Sequence, residues 1–257
     1  MIIAALWTTL FASTAHAQEA VEPPEAAETP AEAAETPAEA SASHKGANLR
    51  YRYMFLPSGI LDSWYFSPDE SPLDFPRPGI SAHVIGGEFA IEPAPASFLI
   101  WAEYWKVNWQ EGYWDDREDT QPDYADGDWL SPTNLGMVAV GANFGREFPV
   151  SSTDKDVWLG FILSGGFGLG ILTGKVDQWK PGFSTDFEAP PDCGAALPAY
   201  NRKDVCPADS TLKLPPVAPV LDLTLGWRLN ISERANVRLE AGLHDMIFVG
   251  GGAGAVF

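Results

Sequence analysis

Cysteine is almost absent from these 257 residues: Cys193 and Cys206 are the whole supply. No histidine lies near them in sequence to complete a metal ligand set. The two thiols suit an oxidising compartment, where they can pair and close a ring worth ~3 kcal/mol in the chain-entropy model. Basic residues are scarce as well. Sixteen Lys and Arg stand against 35 Asp and Glu, a formal charge of −19, and this argues against nucleic acid as a partner. Long apolar runs are missing. A bilayer-spanning helix needs ~20 apolar residues, and no stretch supplies them. No Gly-rich phosphate loop follows a strand and opens a helix. Neither a metal nor a cofactor is expected.

What is present begins with an export signal. Ile2 to Phe11 is short and largely apolar, and Ala15-His16-Ala17 fits a small-residue cleavage site, although the usual positive n-region is missing. Residues 1–17 are expected to be a cleaved signal peptide. Residues 18–46 are rich in Ala, Glu and Pro, and Glu25 to Ala31 repeats as Glu32 to Ala38. Pro30 and Pro37 interrupt any helix, and few residues can bury a core. This segment reads as a disordered spacer.

The body, 47–257, alternates strand-like and turn-rich segments. Eight candidate strands run approximately over 48–56, 80–92, 97–109, 133–146, 156–175, 217–230, 235–246 and 249–257. Several have a period of two. Val237, Leu239, Ala241 and Leu243 oppose Asn236, Arg238, Glu240, Gly242 and His244. Leu221, Leu223, Leu225, Trp227 and Leu229 oppose Asp222, Thr224, Gly226, Arg228 and Asn230. In 97–109 the phase is open, and a Glu is unfavourable against lipid, so Glu103 is expected inward.

Alternation alone does not say which face is the core. In water the apolar face turns inward; in lipid it turns outward. The connections decide. Long ones cover about 58–79, 110–132 and 176–216; short ones cover 93–96, 149–154 and 232–234. Alternating long and short connections are the asymmetry of outer-membrane barrels, with both termini periplasmic for an even strand count. One outer turn, near Met246 to Phe248, is unusually short. Tyr53, Phe55, Trp109, Trp129 and Trp179 are expected toward the outer rim, and Phe98, Phe148, Trp158 and Trp227 toward the inner one.

The segment 48–257 resembles the small eight-stranded outer-membrane β-barrels, such as the OmpA membrane domain, OmpX and OmpW. The resemblance rests on the export signal, strand count, loop asymmetry and the ending Gly250-Gly251-Gly252-Ala253-Gly254-Ala255-Val256-Phe257. It implies that Gly252 and Phe257 belong to an assembly signal read by the barrel-assembly machinery. It also implies a bacterial outer-membrane location and contact with outer-membrane lipid and lipopolysaccharide.

With polar faces inward, Arg50, Arg52, Glu88, Glu92, Asp222, Arg228, Arg238 and Glu240 form a lumen charge network. An eight-stranded barrel is narrow, and its charges must pair. Arg52 and Glu240 are placed to meet. A salt-bridge plug is the leading expectation. Gly160, Gly166, Gly168 and Gly170 on one strand leave room for the alternative, a narrow polar path.

Loop 110–132 holds Glu111, Asp115, Asp116, Glu118, Asp119, Asp123, Asp126 and Asp128, but without the ligand spacing of an EF-hand. It reads as a solvated loop; its aromatics Tyr113, Trp114, Tyr124 and Trp129 can alternatively form a contact patch. A lipid-editing barrel enzyme would need a histidine at the membrane edge. His83 and His244 are available near strand ends, but no Ser–His–acid spacing surrounds them.

The expected architecture is therefore all-β: an eight-stranded antiparallel transmembrane barrel behind a disordered spacer. The expected function is non-enzymatic, structural or surface-binding, through acidic and disulfide-bonded outer loops. A porin-like narrow channel for small or hydrophobic solutes is second, and a lipid-modifying enzyme third. A cell-wall or surface ligand is left unidentified.

Overall fold

A computed structural model describes residues 44–57, 59–60, 79–92, 96–114, 128–154, 157–180, 206–231 and 234–257. The side chains of His44, Glu92, Tyr113 and residues 152–154 lie outside that description. So do residues 1–43, including the expected signal peptide and most of the expected spacer.

Among the described residues ten strands form: β1 His44–Leu56, β2 Ile80–Glu92, β3 Ala96–Trp109, β4 Gly112–Trp114, β5 Asp128–Asp154, β6 Val157–Trp179, β7 Ser210–Leu212, β8 Val217–Ile231, β9 Ala235–His244 and β10 Met246–Val256. Two of them are short flanking pieces. β4 pairs only with the start of β5, and β7 only with the end of β6. The other eight close on themselves. Their order is β5-β3-β2-β1-β10-β9-β8-β6, and β6 returns to β5. Every pairing is antiparallel. The protein is an eight-stranded antiparallel closed β-barrel, which leaves no open edge in the wall.

The barrel is inverted relative to a water-soluble core. Leu49, Phe144, Phe167 and Leu239 are 71%, 66%, 73% and 70% exposed, while Arg52 and Asp222 are 1% and 0% exposed. The two-residue period makes this inversion coherent along each strand. In β8 every second residue from Ala218 to Asn230 is buried, and the residues between them lie toward the outside. In β3 Trp101, Glu103 and Trp105 point inward, opposite Ile100, Ala102 and Tyr104.

Three boundaries differ from the sequence reading. β1 begins at His44, so Lys45 and Gly46 belong to the sheet rather than the spacer. β5 and β6 run to 27 and 23 residues. The other six wall strands have 10 to 15 residues, so this pair projects well beyond them. Their ladder continues from Trp129↔Trp179 at one end to Asp154↔Val157 at the other, absorbing Pro149 and Asn134 at irregular steps in register. Residues 128–132, 149–154 and 176–179 are thus strand, not loop. Finally, the turn between β9 and β10 is Asp245, and Met246 to Phe248 already lie in β10. Asp245 takes φ 56°, the left-handed region that Asp tolerates. Its carboxylate accepts from the Leu221 N–H at 2.9 Å, tying the turn to β8.

Inside, the lumen is layered. An apolar layer of Met54, Val84, Trp105, Met137, Val220 and Phe248 lies toward the end from which the long connections leave. A further apolar collar of Trp114, Leu130, Leu135 and Val176 lies beyond it, on β4 and the projecting strands. The charges occupy the middle.

Candidate functional site

The mid-lumen charges are delivered by inward residues of five strands, three on one side of β10 and two on the other. Arg50 and Arg52 come from β1, Glu88 from β2, Glu103 from β3, Arg238, Glu240 and His244 from β9, and Asp222 from β8. Closure brings β1 and β9 within reach across β10. The middle of β10 is Gly250-Gly251-Gly252, and glycine is what lets the arginines cross it. A Cβ on Gly250 would sit 2.9 Å from Arg52 Cγ, and one on Gly252 would sit 3.2 Å from Arg238 Nε.

The ion pairs form one connected set. Arg50 Nη2 donates to Glu103 at 2.6 Å, and Arg50 Nη1 lies 3.5 Å from Glu88. Arg238 Nη1 donates to Glu88 at 2.5 Å, and its Nε lies 3.4 Å from Glu240. Arg52 bridges two acids, Glu240 at 2.7 Å and Asp222 at 2.5 Å, and also donates to Thr224 at 3.2 Å. Rings cover the guanidiniums: Arg50 lies 5.1 Å from the Trp101 centroid and Arg52 lies 4.2 Å from that of Phe248. Toward the turn end Arg228 pairs with Glu147 at 2.9 Å.

His244 closes the set. Its Nε2 contacts Glu103, and its Nδ1 lies 2.7 Å from Asp222 Oδ2. Among the described residues, three guanidiniums of this connected set face four carboxylates, with His244 lying between Glu103 and Asp222. A buried ion is costly unless it is paired, so near-balance is the condition for packing this many charges together.

The structure therefore brings Arg50, Arg52, Glu88, Asp222, Arg238 and Glu240 together. Arg228 lies apart from them with Glu147, and Glu92 ends β2 opposite His44. Glu103 and His244 complete the network, Glu147 pairs with Arg228, and none of the three was in the sequence-based set. Glu147 had a readable signal, since it continues the inward alternation of β5 past residue 146 and meets Arg228. His244 is not at a rim. It is buried, whereas His83 faces outward from β2 and hydrogen-bonds Tyr51 Oη at 2.7 Å. The two histidines share no site.

The glycine track of β6 does not leave an open path. A Cβ on Gly168 would meet Trp101 Cη2 at 2.5 Å, and one on Gly170 would meet Met137 Sδ at 2.2 Å. Gly166 faces Asn143 and Gly160 faces Glu147 in the same way. The space beside these glycines is filled by side chains of the neighbouring strands β5 and β3. Trp101 donates its Nε1–H to Asn143 on the neighbouring strand at 2.8 Å, and its ring lies 5.4 Å from that of His244.

Of the acidic loop, Glu111 and Asp128 are described. Glu111 accepts from Ser131 at 3.0 Å, and Asp128 accepts from Gln178. Burial pushes the Asp128 carboxyl above its ordinary range. Asp115, Asp116, Glu118, Asp119, Asp123, Tyr124 and Asp126 lie outside the described residues, and so does Cys193. Cys206 is buried and no free thiol, and its carbonyl accepts from Trp179 Nε1 at 3.1 Å. Among the described residues no cluster of His, Cys, Asp and Glu has a metal-holding arrangement. Gly252 sits opposite Arg50 in the β1–β10 ladder. The Phe257 N–H donates to the Lys45 carbonyl at 2.8 Å and its carbonyl accepts from the Lys45 N–H at 3.2 Å, so the terminal residue is held in the sheet.

No family model matches this chain, and no curated protein does. Among solved structures, the chain is similar to Ail, the attachment invasion locus protein of Yersinia pestis, crystallised with the heparin analogue sucrose octasulfate. The identity is 11%, over 84% of this chain and 99% of that one, with a TM-score of 0.29. A likeness at that level carries no functional argument.

Proposed function

We propose that this protein is a bacterial outer-membrane barrel with a sealed lumen and a structural or surface-binding role, performed by its long outer connections and not by catalysis. The observation that carries this reading is the inverted burial: an apolar exterior around a charged, filled interior. In water such an exterior would be a continuous sticky surface, far larger than the few hundred Å² that soluble monomers expose. In lipid it is the required one. The height also fits. Along the β3–β5 ladder the outward Arg146 is opposite Ala96, and the outward Lys106 is opposite Gly136. That is a span of about ten residues, and at ~3.3 Å per residue and ~40° of tilt it stands about 25 Å tall, the height of an outer-membrane apolar band.

On this reading both termini are periplasmic, the barrel-assembly machinery inserts the chain, and the projecting β5–β6 pair carries the outer connections into the medium. A Cys193–Cys206 disulfide would restrain the longest of them. The packed lumen favours the sealed barrel over the narrow channel.

The test is electrophoretic mobility of the outer-membrane fraction, boiled against unboiled. A compact unboiled band that shifts on heating supports the reading. A protein recovered from the periplasm or medium with no shift overturns it.

A further inference from the structure

The lumen network contains one cationic partner whose charge can be removed. Arginine stays charged in proteins, whereas histidine is the side chain that ordinarily changes charge between pH 5 and 8. His244 is fully buried at the loop end of β9, the last residue before the Asp245 turn. The rings of Trp101, Trp105 and Phe248 surround it, with centroids 5.4, 5.0 and 6.3 Å away. The charged groups facing it are Glu103 from β3 and Asp222 from β8, with Arg50 and Arg52 of β1 behind these acids.

Both ring nitrogens of His244 face carboxylate oxygens. Nε2 contacts Glu103 Oε1, and Nδ1 lies 2.7 Å from Asp222 Oδ2. A neutral imidazole has one N–H and one bare nitrogen. One of the two contacts would then set a lone pair against a carboxylate oxygen. The acids are already supplied with donors that hold them ionised. Glu103 Oε1 accepts from the Trp105 Nε1–H at 2.6 Å, and its Oε2 accepts from Arg50 at 2.6 Å. Asp222 Oδ2 accepts from Arg52 at 2.5 Å, and its Oδ1 accepts from the Thr224 hydroxyl at 2.6 Å. Charge balance points the same way. The connected set holds three guanidiniums and four carboxylates, and only a cationic His244 makes it even.

We infer that His244 is held as an imidazolium, with both nitrogens donating, and acts as a proton-dependent lock on the lumen. It ties β3 to β8 from β9 while it carries two ring protons, and the tie opens when one is lost. The inference stands on the closed barrel and its lumen, whichever medium meets the outside. Loss of the proton leaves four carboxylates against three guanidiniums in a packed interior, with the excess beside the Asp245 turn. The barrel therefore takes up a proton on folding and loosens from the loop end as the medium turns alkaline.

Two measurements on the full-length protein test this. Asp245 has a carboxyl that itself titrates near about 6, so every protein carries Asp245→Asn. In the first, His16→Gln, His44→Gln and His83→Gln leave His244 as the sole histidine, and its ring is read by nitrogen-15 NMR at about pH 8, where a free imidazole is neutral. A directly bonded proton on both ring nitrogens is expected; one bare nitrogen overturns the lock. In the second, urea unfolding from lipid vesicles is followed between about pH 6 and 9. The unfolding equilibrium constant should rise by up to about tenfold per pH unit above about 6.5, because the unfolded chain releases the proton that the fold keeps. His244→Gln/Glu103→Gln removes one cation with one anion and should give a flat profile. A flat profile with His244 present, or an undiminished slope in the double variant, overturns the lock. Should the double variant not fold, the ring protons of His244 decide alone.

Discussion

Each of Arg50, Arg52 and Arg238 lies near two carboxylates, and Arg52 is the one that holds both closely, Asp222 at 2.5 Å and Glu240 at 2.7 Å. Removing one partner of a buried pair costs more than the pair is worth, since the other is left charged and dry. Arg52→Met is expected to destabilise the folded barrel by ~3–5 kcal/mol in urea titration from lipid vesicles. Adding Asp222→Asn and Glu240→Gln should recover part of that loss, because the orphaned charges go with it. Asp245 behaves in the opposite sense. Burial raises its carboxyl to about 6 from an ordinary 3.8. An acid with a raised folded value favours the protonated fold, so its contribution is present below about pH 4 and is lost as pH rises through about 6. Asp245→Asn keeps the left-handed turn and the acceptor for Leu221. It should stabilise the barrel at pH 8 by up to about 3 kcal/mol, with the difference vanishing near pH 4. A gain that persists unchanged at pH 4 would assign it to the turn rather than to the charge.

At the scale of the strand, glycine in β6 acts as a recess for side chains of the neighbouring strands. Gly170 lies where Met137 packs, and a Cβ there would meet the flexible thioether rather than a carbonyl. Gly170→Ala should therefore cost ~1–3 kcal/mol alone. Combined with Met137→Ala it should cost less than the two single losses added together, a coupling of about 1 kcal/mol or more in a double-mutant cycle. Additive losses would mean that Met137 does not fill the recess. The same strand shows what periodicity makes readable and what it does not. The phases of β1, β6, β8 and β9 were legible, because a one-residue slip exchanges the two faces and only one assignment keeps Asp222, Arg228 and Arg238 off the lipid. The inward phase of Glu103 followed from the same cost. The occupants of the recesses were not legible, because a glycine in sequence does not say what lies opposite it. The lengths of β5 and β6 were misread because Pro132, Pro149 and the polar residues after it look like turns. On projecting strands clear of the wall's full pairing, these residues are tolerated. His244 was visible on the polar face of its strand. Its place between Glu103 and Asp222 depends on a contact 141 residues away in sequence, set by barrel closure and by no local pattern.

For the whole molecule, the decisive property is which medium the outside meets, and a single substitution at mid-wall reads it directly. Leu239 is 70% exposed and lies in β9 beside Arg238 and Glu240, whose side chains point the other way. If the exterior met water, Leu239→Arg would fall within the small effects of surface substitutions. Against lipid it should cost ~2–4 kcal/mol at the midplane and progressively less at outward positions nearer either border. The depth profile matters more than any one value. A series at Leu239, Val237 and Ala235 that declines toward the turn end measures a bilayer, whereas a flat series measures solvent. The lumen supplies the complementary readout in planar bilayers. The intact protein is expected to show no ion conductance, because the Trp101 indole, lying over the paired Gly141 and Gly168, reaches His244 and Arg50 and fills the lumen beside the ion pairs. Trp101→Ala removes the indole from both recesses while leaving the Arg52 pairs in place. A small conductance gained in that variant would identify the indole as part of the seal. Conductance already present in the unmodified protein would move the narrow-channel reading ahead of the sealed one.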